Sequence, residues 1–133
     1  ALQMLYLVDQ NPDTDLHWVR KSLEEQLDAE ASEGEPLVDF AWSLIIGVRE
    51  HRAAIDEQIT AVAQNWRVDR MAPTDRNAIR MGFFELHYLG TPAAVVLNET
   101  IELAREFGTE QSSSFVNGVL DKLTSVNPAG PVG

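Results

Sequence analysis

The side chains able to do chemistry in this 133-residue chain are scattered, and their spacing argues against an active site. His17, His51 and His87 lie far apart. None has a second metal-ligating residue three or four positions on, as a helix-borne metal site requires. Glu99 and Glu102 share a helix face and could pair as carboxylates for acid–base work. Arg105, three residues beyond Glu102, offers simple ion pairing instead. Asp75, Arg76 and Arg80 fall in the first turns of an expected helix, where an acid suits the helix dipole. Ion pairing at a buried helix end explains that group at least as well as catalysis does. There is no phosphate loop, dinucleotide fingerprint or nucleophile elbow. The residues therefore point to no catalytic group, no metal and no cofactor.

The most informative stretch is Phe115-Val116-Asn117-Gly118-Val119-Leu120-Asp121-Lys122. Its apolar residues, continued by Leu123, repeat as one buried helix face. Periodicity gives no reason for Gly118, which costs roughly 1 kcal/mol against Ala in a helix interior. Close helix packing is the expected reason. An aromatic at 115, near the start of such a helix, can stack on an unpaired base, while the free N–H groups there favour phosphate. Phe115 can equally serve as a core anchor.

The elements that must hold these residues read as helical throughout. Residues 1–8 look like the end of an apolar helix, closed by the turn-forming Asp9-Gln10-Asn11-Pro12-Asp13. Thr14 or Asp15 caps a second helix with Leu16, Val19, Leu23 and Leu27 on one stripe, and Ser32 to Pro36 stops it. From Leu37 to Trp66 the apolar stripe slips at Arg49-Glu50-His51-Arg52, which predicts two helices rather than one. Thr74 caps a helix carrying Ile79, Phe83 and Leu86 that ends at Gly90. Thr91-Pro92 opens the next helix, with Leu97, Ile101 and Ala104, to Phe107-Gly108. Thr109 caps the last helix, with Glu110 in its first turn, and residues 127–133 form a frayed tail. The fold class is an all-α bundle.

Composition sets the outer bounds. The length suits one domain or two small halves sharing a core, and 44% apolar residues exclude disorder as the default. No apolar run approaches the roughly 20 residues that span a bilayer. The absence of cysteine excludes disulfides and thiolate metal sites and suits the cytoplasm. The net charge of −11 is unexpected for a nucleic-acid binder. Residues 1–66 carry 13 acids against 4 bases, and residues 67–133 carry 8 against 6. Charge alone points to a protein partner or to solubility.

Several segments nevertheless resemble the NusB transcription antitermination family. Asp75-Arg76-Asn77-Ala78-Ile79-Arg80 with Glu85-Leu86 resembles its DRxxLR…YEL helix. Leu97 to Gly108 resembles its INEAVELAKxFG helix, and Ser112 with the 115–122 octet resembles its SxxFVNGVLDK ending. Ala1 to Tyr6 resembles the ALQALY of its first helix, so the resemblance spans nearly the whole chain.

This resemblance implies a NusB-like bundle of about six or seven helices in two subdomains, residues 1–52 and 53–126. It implies a non-catalytic, cytoplasmic factor that binds the boxA element of ribosomal RNA leader transcripts. The expected partners are NusE, the small-subunit ribosomal protein, and the RNA polymerase antitermination complex, with a homodimer also open and no membrane. RNA contacts carry over to Gln3, Tyr6, Gln111, Ser114 and Phe115, and NusE contacts to Tyr6, Asp75 and Arg76. The family's arginine-rich segment would directly precede Ala1. Gln111 stands where an acid is usual, and Ser113 and Ser114 stand where His and Lys are common. Two alternatives stay open: a paralogue that keeps the protein interface but binds RNA weakly, and the leading domain of a ribosomal RNA cytosine methyltransferase. The latter would require a long methyl-donor-binding domain downstream.

Overall fold

The computed structural model describes residues 5, 9–10, 13, 15–26, 34–63 and 67–124, without the side chains of 26, 34, 35 and 37. Within them the chain forms α1 (Leu16–Gln26), α2 (Gly34–Val62), a 3-10 turn (Val68–Arg70), α3 (Pro73–His87), α4 (Ala93–Phe107) and α5 (Ser112–Thr124). Leu5, Asp9 and Gln10 are also helical. There is no strand among the described residues, so the all-α expectation holds.

α3 is the central helix. It packs against α2, α4 and α5, while α1 lies on α2. Eleven of its fifteen residues are buried. One continuous core collects Val19 and Leu23 from α1, Ile45, Ile55 and Ile59 from α2, Ile79 from α3, and Val116, Leu120 and Leu123 from α5. Each large apolar side chain fully removed from water contributes about 1.5–3 kcal/mol. The close approach of α2 to α3 depends on Gly47, where a Cβ would collide with the Phe84 ring.

The break expected near residue 50 is absent: α2 runs unbroken for 29 residues. The stripe loses its apolar residues there without losing its contacts. Arg52 Nη2 donates to Asp9 Oδ1 at 3.1 Å, and the His51 ring stacks on Tyr88 with centroids 4.5 Å apart. Ion pairing and stacking replace aliphatic packing for one turn, and the helix continues. Residues 52 and 53, the expected subdomain boundary, both lie inside this helix.

Other helix ends differ in detail. Asp15 does cap α1, its Oδ1 accepting the His17 N–H at 2.9 Å. α3 starts one residue before Thr74, with Pro73 at its first position and Ala72 preceding it. The fixed φ of proline suits that place. α4 begins after Pro92 with no side-chain cap, so Thr91 does not serve as one. α5 starts at Ser112, beyond Glu110. Thr109 is held ahead of it, because its N–H donates to Ser112 Oγ at 2.9 Å, the returning half of a capping box. Gly90 takes φ of +69°, the left-handed region that favours glycine. The helix itself ends three residues earlier, at His87.

The tail from 127 and residues Leu27, Gln3 and Tyr6 lie outside the described residues. No helix described is long and apolar enough to cross a membrane.

Candidate nucleic-acid interface

Two helix starts converge on one side of the bundle. The first turn of α3 places Asp75 there, and the first turn of α5, with the residue before it, places Phe115 and Gln111. Together with Arg70, Met71, Ala72 and Thr109 they enclose a pocket of about 270 Å³. Free backbone N–H groups at helix starts attract anions. Phe115 is half-buried and packs partly against the core, so it anchors α5 and also walls the pocket. Gln111 and Ser114 are exposed, and Ser113 is half-buried. Three residues named from the sequence, Asp75, Gln111 and Phe115, are thus brought together, and Ser114 lies on the same first turn.

Asp75 is the unusual member. It is only 9% exposed, and its Oδ1 is shielded without a hydrogen-bond partner. Leaving a buried acceptor unsatisfied costs about 1–3 kcal/mol.

Arg76 points elsewhere. Its Nε and Nη2 both reach Asp9 Oδ2 at 2.7 Å. Asn77 Nδ2 donates to the same oxygen at 3.0 Å, and Arg80 Nη1 lies 3.5 Å from Asp9 Oδ1. Arg80 also grips Asp56 with two bonds, Nε–Oδ1 at 2.7 Å and Nη2–Oδ2 at 2.9 Å. Burial alone would raise the Asp9 carboxyl. The hydrogen bonds from Arg76 and Asn77 and the charges of Arg80 and Arg76 outweigh it, and hold the group below its ordinary value. The basic residues of α3 therefore knit the fold together. Sequence reading expected ion pairing for them but missed Asp9 and Asp56 as the acids. The available signal was a pair of arginines four apart on a helix otherwise too apolar to expose them.

The histidines carry no metal site, and among the described residues no cluster of metal-ligating side chains occurs. His17 and His51 are exposed. His87 is buried more deeply than expected, with Nε2–H donating to the Leu123 carbonyl at 3.3 Å. Burial lowers its pKa, and that bond only partly offsets the effect. Glu102 pairs with Arg105 at 2.7 Å as expected.

Gly118 is not explained by packing. A Cβ there would meet nothing within 4 Å, and the residue is exposed. Among the described residues nothing requires glycine at that position.

The NusB family model matches residues 1–125. The chain belongs to the NusB family. A transcription antitermination protein NusB of Anaeromyxobacter dehalogenans is 43% identical over 132 residues, covering 96% of this chain and 87% of that protein. One of Myxococcus xanthus is 42% identical over 127 residues, covering 92% and 88%. The solved NusB of T. maritima superposes with a TM-score of 0.80 at 31% identity, over 96% of this chain and 87% of that one. NusB membership makes this a transcription antitermination factor rather than an enzyme. It also accounts for the match of the 75–86, 97–108 and 112–122 segments to family motifs.

Proposed function

We propose that the chain binds the boxA element of ribosomal RNA leader transcripts, together with NusE, and so supports processive transcription by RNA polymerase. The observation that carries this reading is the convergence of Phe115, Gln111 and Arg70 beside the starts of α3 and α5. An aromatic wall offers stacking worth roughly 1–3 kcal/mol per base. The helix starts offer N–H groups to phosphate. Arg70 adds a cation with no ion pair among the described residues, at the edge of a chain whose net charge is −11. One cation among so many acids makes for weak binding by the chain alone. That supports a joint surface with NusE, to which Asp75 and Tyr6 are assigned. Arg76, already committed to Asp9, adds little to such a surface.

The test is fluorescence anisotropy of a boxA-like RNA against a scrambled RNA, with the protein alone and with NusE. Preference for boxA that grows when NusE is present supports the reading. Equal affinity for the two RNAs in both conditions overturns it.

A further inference from the structure

α3 and α5 lie side by side and run in the same direction. Their starts share the pocket lined by Asp75 and Phe115, and their ends meet where His87 touches Leu123. A helix leaves its last four carbonyls without partners of its own. Two side chains serve those of α5. Thr124 Oγ1 donates to the Asp121 carbonyl at 2.6 Å, and His87 reaches across from α3 to the Leu123 carbonyl at 3.3 Å. A carbonyl only accepts, so the ring carries a hydrogen on Nε2. His87 is 9% exposed, and the Phe83 ring packs against it with centroids 4.4 Å apart. This contact lies at the opposite ends of the two helices from the candidate RNA face.

We propose that His87 is a pH-sensitive clasp, whose neutral ring fastens the end of α5 to α3 and whose protonation releases that end. An imidazolium still offers its Nε2–H to Leu123, so the bond itself does not decide the outcome. Hydration decides it. A charged ring enclosed by apolar neighbours loses the water that stabilises it. Helix ends attract cations, but burial prevails and lowers the His87 pKa below its ordinary 6.5, with the Leu123 bond only partly opposing it. No counter-charge makes up the difference. Glu85 stands two residues before His87 on α3, and Glu99 of α4 acts on Glu85. His51 of α2 stacks on the neighbouring Tyr88, and Asp121 and Lys122 precede Leu123 on α5. None of these groups contributes to the shift of His87.

A ring released into water takes up its proton near 6.5, whereas the clasped ring resists it to lower pH. The hold of His87 is therefore complete above pH 6.5 and is lost as pH falls through the folded value. Only the last turn of α5 has to part from α3 for the ring to meet water, so the opening is local rather than global.

Amide hydrogen exchange of residues 120–124 tests the clasp, comparing wild type with His87→Gln from about pH 7.5 to about pH 5.5. Glutamine keeps an N–H donor at a similar reach and does not titrate. Wild-type protection factors should fall by about threefold to tenfold, since one linked proton gives at most tenfold per pH unit. His87→Gln should show no such fall. An equal fall in both proteins, or none in wild type, overturns the inference.

A second measurement needs no variant and decides the matter if His87→Gln does not fold. Nitrogen NMR of the wild-type His87 ring should find hydrogen on Nε2 at neutral pH and protonation centred below pH 6.5. Hydrogen on Nδ1 instead, or protonation centred at or above 6.5, overturns the inference. Neither measurement involves RNA, so the clasp and the boxA reading stand or fall separately.

Discussion

Asp9 and Arg76 lie 67 positions apart in sequence, and the carboxylate of one accepts two N–H groups of the other at 2.7 Å. The pair ties the start of the chain to the central helix. It also explains why the arginines of α3 are unavailable to a phosphate.

Asp9→Ala should therefore be strongly destabilising. It removes the one acid paired with Arg76 among the described residues, and one of the two acids near Arg80, whose side chain is 3% exposed. Breaking a buried ion pair from one side costs about 3–5 kcal/mol. Urea unfolding should show the midpoint falling by a corresponding amount. A loss under roughly 1 kcal/mol, the range of exposed pairs, would mean that the network contributes little.

The same carboxylate sets an acid limit. Its folded pKa lies below the ordinary 3.8, so its contribution is fully present above that value and is lost as pH falls through the folded one. Glu85 works in the opposite sense. Burial and the charge of Glu99 raise it above 4.5, so its ionised form opposes folding as pH rises through the folded value. Glu85→Gln should stabilise the protein at pH 7, with the gain vanishing below about pH 4.5. A gain that persists unchanged at pH 3.5 would show that charge is not the cause.

Two glycines of similar helical setting should behave oppositely. Gly118→Ala should stabilise by about 0.5–1 kcal/mol, since Ala is the better helix former and the space is open. Gly47→Ala should destabilise, because its Cβ meets the Phe84 ring. Thermal melts of the two variants decide it. Stabilisation by both would contradict the close approach of α2 to α3. If Gly118→Ala is more stable yet binds RNA or NusE less well, the missing side chain serves a partner.

Much of this was legible from local pattern. The stripes of α1, α3, α4 and α5 follow the 3.6 period, and the octet pointed to the family before the fold was known. The unbroken α2 was not legible, because Arg52 and His51 keep their contacts through Asp9 and Tyr88, partners that periodicity cannot see. The caps expected at Thr74 and Thr91 fall instead at Ala72 and Pro92, because proline at 73 and 92 sets those helix starts. The pocket was the least legible feature. Phe115 is distant in sequence from Arg70 and Asp75, and only the packing of α5 against α3 makes them neighbours.

Phe115 carries the central claim, since it is the one aromatic among the residues that line the pocket. The decisive measurement is boxA-like RNA affinity of Phe115→Ala in the presence of NusE, set beside its thermal stability. The half-buried ring should cost some stability, but RNA affinity should fall by about tenfold or more, the scale of one lost base stack, while the variant remains folded. Unchanged affinity in a folded variant would show that Phe115 is a core anchor and that the RNA lies elsewhere.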